Sequence, residues 1–161
     1  MTARLGGDWT ARLASSFGRD KTRINSDIWI GGTVYGTSYR LYDNDAISLE
    51  ASAEGPLVEF PAGSARLALG AGYRRTSIAL LSSTLGTVSR AFDQHQENRF
   101  GYAEAFFPLI APTQASAFGR SLSLTAAFRY ESNPGVGSVA LPKLGLAYAP
   151  IEGLTFRGSW G

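Results

Sequence analysis

The chain has 161 residues, 44% of them hydrophobic and 17% charged, with a formal net charge of +2. That apolar content excludes a disordered chain, and the basic residues, almost all Arg with only Lys21 and Lys143 besides, are scattered singly. A nucleic-acid binder gathers them on one face, so no nucleic-acid partner is expected.

From the N-terminus, Met1 to Phe17 carries Arg4, Asp8 and Arg12 and has no apolar h-region, so it is not a secretory signal. Within it Trp9, Ala11, Leu13 and Phe17 share one face of an extended chain, with Thr10, Arg12, Ala14 and Ser16 on the other. A long polar link follows, Arg19 to Asp45. It has room for a hairpin of its own, because Ile28, Ile30 and Val34 alternate imperfectly around Gly31 and Gly32. Ile47, Leu49, Ala51 and Ala53 then alternate with Ala46, Ser48, Glu50, Ser52 and Glu54. A compact link, Gly55 to Gly63, leads to Leu67, Leu69, Ala71 and Tyr73, set against Arg66, Ala68, Gly70, Gly72 and Arg74.

After a second long link, Ser77 to Asn98, the stretch Phe100 to Ile110 is strand-like, but its aromatic residues leave the faces ambiguous. The clearest alternation comes after the compact link Ala111 to Arg120. There Leu122, Leu124, Ala126, Phe128 and Tyr130 oppose Ser121, Ser123, Thr125, Ala127, Arg129 and Glu131. The link Ser132 to Ala140 precedes Leu144, Leu146 and Tyr148, and the link Pro150 to Gly153 precedes Leu154, Phe156 and Trp160.

This pattern predicts about seven antiparallel strands and no convincing helix. No apolar run approaches the ~20 residues of a membrane-spanning helix, but each strand has room for the ~9–11 residues of a tilted membrane strand. Long links alternate with compact ones, as they do in a barrel with long outer loops and short periplasmic turns. The non-apolar face is rich in Ser, Thr, Gly, Ala and Arg, which suits a water-filled or plug-filled lumen better than a solvated surface. Trp9, Tyr73, Tyr102, Phe128, Tyr130, Tyr148 and Trp160 lie near strand ends, where aromatic rings favour the membrane–water interface. The expected fold is therefore all-β, an antiparallel meander of transmembrane strands belonging to an outer-membrane β-barrel. A soluble sandwich or barrel is the competing reading.

Several segments then resemble one family. Gly101-Tyr102-Ala103-Glu104-Ala105-Phe106-Phe107-Pro108-Leu109-Ile110 resembles the "YAE…PL" strand of TonB-dependent outer-membrane receptors. Leu122 to Glu131 is similar to the family's next strand, which commonly ends in "RYD". Pro142 to Pro150 resembles its "PKxGLxWxP" strand, and Leu154 to Gly161 the "LxLRxSWG" that follows. Upstream, Gly55 to Gly63 and Arg66 to Arg74 are similar to a turn and strand of the same barrel. Gly72, Glu131 and Tyr148 depart from the family's usual acidic residue, Asp and Trp.

The resemblance implies a barrel of ~22 strands, a plug domain and a TonB-binding segment. Neither of the last two is visible in residues 1–161, so the chain reads as an internal barrel fragment with Met1 a fragment start. Its implied setting is the bacterial outer membrane, with lipid outside, a plug domain and contact with TonB through the missing part of the parent chain, and uptake of a scarce ligand such as a metal chelate or oligosaccharide. A small self-contained structural or pore-forming barrel is the alternative.

Little else in the sequence suggests chemistry. His95, in Asp93-Gln94-His95-Gln96-Glu97, has no second His or Cys to join it as a metal ligand. Asp43-Asn44-Asp45 lacks the Gly and distal Glu of a calcium loop and reads as a turn beside a strand. No nucleophile, phosphate-loop or zinc motif occurs. The chain is not expected to be an enzyme, and no catalytic, cofactor or metal residues are assigned. Arg12, Arg66, Arg74, Arg129 and Arg157 fall on the polar face, positioned either for acidic neighbours or for an anionic substrate or plug.

Overall fold

A computed structural model describes residues 1–114 and 119–161. Eight strands pair in chain order into one sheet. They are β1 (Thr2–Arg4), β2 (Thr10–Ile30), β3 (Thr33–Phe60), β4 (Gly63–Thr84), β5 (Thr87–Ile110), β6 (Ser121–Asn133), β7 (Gly137–Ile151) and β8 (Leu154–Trp160). The expected all-β meander is what forms, with every predicted strand inside one of β2–β8 except for Trp9, which precedes β2. The three-residue β1 is an addition, pairing Thr2 with Arg12, Ala3 with Ala11 and Arg4 with Thr10. A single turn of 3-10 helix, Pro112–Gln114, follows β5. Among the described residues no helix is long and apolar enough to cross a membrane, which says nothing of crossing by strands.

The links are the main correction. Arg19 to Asp45 and Ser77 to Asn98 are not loops but continuations of strand pairs, each ending in a two-residue turn. Gly55 to Phe60 is likewise strand, and the compact link shrinks to Pro61 and Ala62. From Phe17 to Asp27 every residue is exposed, so neither face selects for apolar side chains and no period of two is written into the sequence. The backbone pairs there regardless. Asp43, Asn44 and Asp45, read above as a turn, lie inside β3. The middle of the link Ala111 to Arg120, including Ser116, lies outside the described residues.

The chain divides into two compact units. The first comprises Met1–Ala14, Glu50–Gly72 and Arg99–Gly161. Its pairing settles the faces, because directly opposed residues of an antiparallel ladder share a side. Ala103, Ala105 and Phe107 oppose Phe128, Ala126 and Leu124. Leu122, Leu124 and Ala126 oppose Tyr148, Leu146 and Leu144, and Leu144 and Tyr148 in turn oppose Trp160 and Phe156. One face is thus continuously apolar from β5 to β8. The other carries Tyr102, Glu104, Thr125, Ala127, Arg129, Lys143, Gly145, Ala147 and Arg157.

Ala65 and Phe100 are the buried hydrophobic residues of the described chain, while Phe128 is 50% exposed, Phe156 57% and Trp160 63%. A soluble domain hides such residues in a core, and contiguous bare apolar surface marks an interaction site. The apolar face of the first unit is therefore a surface that awaits a non-aqueous neighbour.

The second unit, Ser15–Leu49 and Tyr73–Asn98, holds the turns Gly31–Gly32 and Leu85–Gly86. Both residues of each turn have positive φ, with Gly31 at 57°, Gly32 at 82°, Leu85 at 53° and Gly86 at 77°. That is the mirror-image turn whose twist matches a hairpin. Glycine adopts it without penalty, whereas Leu85 does so against a cost of roughly 1–2 kcal/mol. Two contacts hold Leu85 there. Its amide donates to the Thr37 carbonyl at 3.0 Å, and its side chain occupies the space a Cβ would need on Gly36.

Candidate functional site

The polar face of the first unit gathers most of the chemistry-bearing side chains. Its floor is lined by small residues, Thr125 and Ala127 on β6 and Gly145 and Ala147 on β7, because successive side chains of a strand point to opposite faces. Charged residues punctuate this floor.

A fixed row of contacts runs across β3 to β6. The Tyr102 ring lies over Gly70, where an added Cβ would come 2.6 Å from Cζ. The glycine is needed for that close approach. The Tyr102 hydroxyl donates to Glu50 Oε1 at 3.0 Å. Opposite Tyr102 stands Arg129, whose guanidinium carbon sits 4.8 Å from the centre of the Phe100 ring. Arg129 Nε donates to Glu131 Oε1 at 2.5 Å. Since Arg129 is 37% exposed, that ion pair contributes only ~0–1 kcal/mol; its effect is to hold the guanidinium in one orientation.

Beside this row lies a concavity of about 370 Å³, lined among others by Thr2, Thr10, Arg12, Ser52, Glu54 and Tyr102. A smaller one of about 180 Å³ adjoins it and contains Glu54, Arg66, Ala68 and Glu104. Among the described residues the side chains of Arg12, Glu54, Arg66 and Glu104 take part in no hydrogen bond or ion pair.

Of the five arginines expected on the polar face, Arg12 and Arg66 line these concavities. Arg129 belongs to the fixed row, and Arg157, opposite Ala147, shares its face. Arg74 lies on β4 in the second unit, as does His95 on β5. Among the described residues no three His, Cys, Asp or Glu side chains converge as a metal would require.

Tyr102 is a second correction. Expected among the interface aromatics, it faces the polar side, whereas Phe128, Tyr130, Tyr148 and Trp160 share the apolar face. Sequence reasoning also passed over Glu50, Glu54 and Glu104 as site residues. Glu50 and Glu54 had a signal, since they alternate with Leu49, Ala51 and Ala53. Glu104 had none until its partner Ala127 was known.

In the second unit, Arg19 Nε and Nη2 donate to the two carboxylate oxygens of Asp43 at 2.9 and 2.7 Å, and Lys21 Nζ lies 3.4 Å from the same group. This clamp falls beyond the stretches expected to cross a membrane. The hydrogen bond from Arg19, aided by Lys21, lowers the Asp43 pKa to about 2. A depressed carboxylate favours the folded pairing above its unpaired pKa and loses that contribution as pH falls through the lowered value. The clamp should therefore persist at pH 4 and open only toward pH 2. A ¹³C carboxyl titration of Asp43 is expected to show its midpoint near 2, and Arg19→Gln should move it up toward the ordinary carboxylate value. A midpoint unchanged by Arg19→Gln would contradict the clamp.

The chain matches a protein-family model described as TonB dependent receptor-like, beta-barrel, over residues 2–161. No curated protein and no solved structure matches it.

Proposed function

Because the chain belongs to the TonB-dependent receptor β-barrel family, we propose that it is a section of the barrel wall of a receptor that takes up a scarce ligand of the metal-chelate or oligosaccharide class. The family is one of receptors and transporters rather than enzymes, and its setting is the outer membrane. In this reading the apolar face of β5 to β8 meets lipid and the polar face meets the plug and the solute path. The plug domain belongs to the parent chain, and TonB, a separate partner, is engaged through that chain's TonB-binding segment.

The observation that carries the reading is the separation of faces by pairing. Backbone groups in a bilayer must be bonded within the protein, so a strand can meet lipid only inside a continuous ladder. Here the ladder is regular over the whole of β6, from Ser121 opposite Ala149 to Asn133 opposite Gly137. Leu, Ala, Phe and Tyr occupy one side of it, and Trp160 on β8 continues that side.

Uptake tests the reading. Deleting the parent gene should abolish growth on one class of ligand, iron chelates or oligosaccharides, when that ligand is scarce, and deleting TonB should do the same. Growth unaffected by either deletion on both classes would overturn it.

A further inference from the structure

We infer that the concavity bounded by Arg12, Glu54 and Tyr102 is a subsite for a neutral, hydroxyl-rich solute, a saccharide ring. The inference rests on the uptake reading above and narrows its ligand class. Three observations carry it, all within the first unit.

The first is charge balance. Arg12 and Glu54 are the ionised groups lining the concavity, one of each sign, and neither has a side-chain partner among the described residues. A solute with a large net charge would leave one of them opposed. A neutral polyol satisfies both, since vicinal hydroxyls donate to a carboxylate and accept from a guanidinium.

The second is the remaining polar lining. Thr2, Thr10 and Ser52 add three side-chain hydroxyls, each able to donate and accept. Groups that can do both suit a ligand whose own groups are hydroxyls. An acceptor-rich anion would call for donors alone.

The third is shape and rigidity. The volume of about 370 Å³ lies within the ~300–1,000 Å³ range of small-molecule sites. Ala68 supplies a small apolar floor, and the Tyr102 ring is held by its contact with Gly70 and its hydrogen bond to Glu50. A sugar ring presents C–H groups to such a surface and hydroxyls to the rim. A pre-positioned wall reduces the ordering cost of binding.

The test uses the full-length receptor in detergent and saturation-transfer NMR with the methyl glycosides of glucose, galactose, mannose, xylose, arabinose and rhamnose. At least one is expected to bind, and Arg12→Gln with Glu54→Gln should weaken it about tenfold or more, a loss of ~1.4 kcal/mol. Glu152→Gln, in the connection between β7 and β8 and outside the concavity, should leave binding unchanged. Heat-modifiable gel mobility establishes that each variant is folded; if the double variant fails to fold, Ser52→Ala, expected to weaken binding severalfold, takes its place. Binding of none of the six, or binding indifferent to these substitutions, would overturn the subsite. Uptake of an iron chelate alone would sink it too while leaving the receptor reading intact. Loss of both gene and TonB dependence would instead defeat the receptor reading.

Discussion

Ala126→Arg is expected to destabilise the folded receptor by about 2–4 kcal/mol, the cost of an Arg on the lipid face near the bilayer midplane. Ala127→Arg, one position along the same strand, should change stability by less than about 1 kcal/mol. The two substitutions add the same atoms to the same small residue. They differ only in face, since Ala126 stands between Ala105 and Leu144 and Ala127 between Glu104 and Lys143. Glu104 even offers the new guanidinium a counter-charge. Urea unfolding of the receptor in lipid vesicles, followed by tryptophan fluorescence, measures both. Equal costs would mean that the faces are not lipid and lumen, and the reverse order would mean that they are exchanged.

The second large effect is all-or-none. In intact cells a membrane-impermeant maleimide should label Ser26→Cys, Gln94→Cys and Ser138→Cys, and spare Glu152→Cys until the outer membrane is permeabilised. The chain has no native Cys, so each variant gives a single signal once any Cys elsewhere in the receptor is replaced. All four positions are exposed, so intrinsic accessibility does not favour one over another and a difference in labelling reports the membrane. Ser116→Cys should behave as Glu152→Cys. Reversed labelling would invert the orientation, and uniform labelling would exclude a membrane-spanning arrangement.

How far the sequence could be read depended on what each side of a strand touches. β6 was legible residue by residue from Ser121 to Glu131, because there one side is wholly Leu, Ala, Phe and Tyr and the other Ser, Thr, Ala, Arg and Glu. β5 was not, because Phe100, Tyr102 and Phe106 put aromatic rings on the polar side, where Phe100 packs under Arg129 and Tyr102 over Gly70. Periodicity reads hydrophobicity, and an aromatic ring held by a cation or a hydrogen bond looks the same to it as one facing lipid. The extension of β2 past Phe17 was illegible for the opposite reason. Asp20, Lys21, Arg23 and Asn25 face water on either side, and nothing marks the pairing beneath them.

The site was half legible. That Arg12, Arg66, Arg129 and Arg157 share a side follows from alternation alone. Tyr102 reaching Glu50 spans 52 residues of sequence, and only a register can bring them together. The Leu85–Gly86 turn was invisible too, since a leucine in a left-handed conformation contradicts the residue preferences by which such turns are recognised.

The ladder between β6 and β7 also bears on how such a chain can change length over evolutionary time. A one-residue insertion in mid-strand would carry every side chain beyond it to the wrong side of the sheet, so Leu and Phe would exchange places with Arg and Glu. Length can drift there only by pairs of residues, or else the odd residue must be set aside. The two register shifts in the described pairings of β5 to β8 show where it is set aside. Leu109 is skipped between Pro108 opposite Ser123 and Ile110 opposite Leu122. One residue more on β7 than on β8 is absorbed between Tyr148 and Ile151. Both bulges lie at strand ends, next to connections, where a slipped residue alters no face beyond it. Single-residue insertions and deletions among related genes should therefore collect at these two positions and in the turns, while the centres of β6 and β7 keep their length.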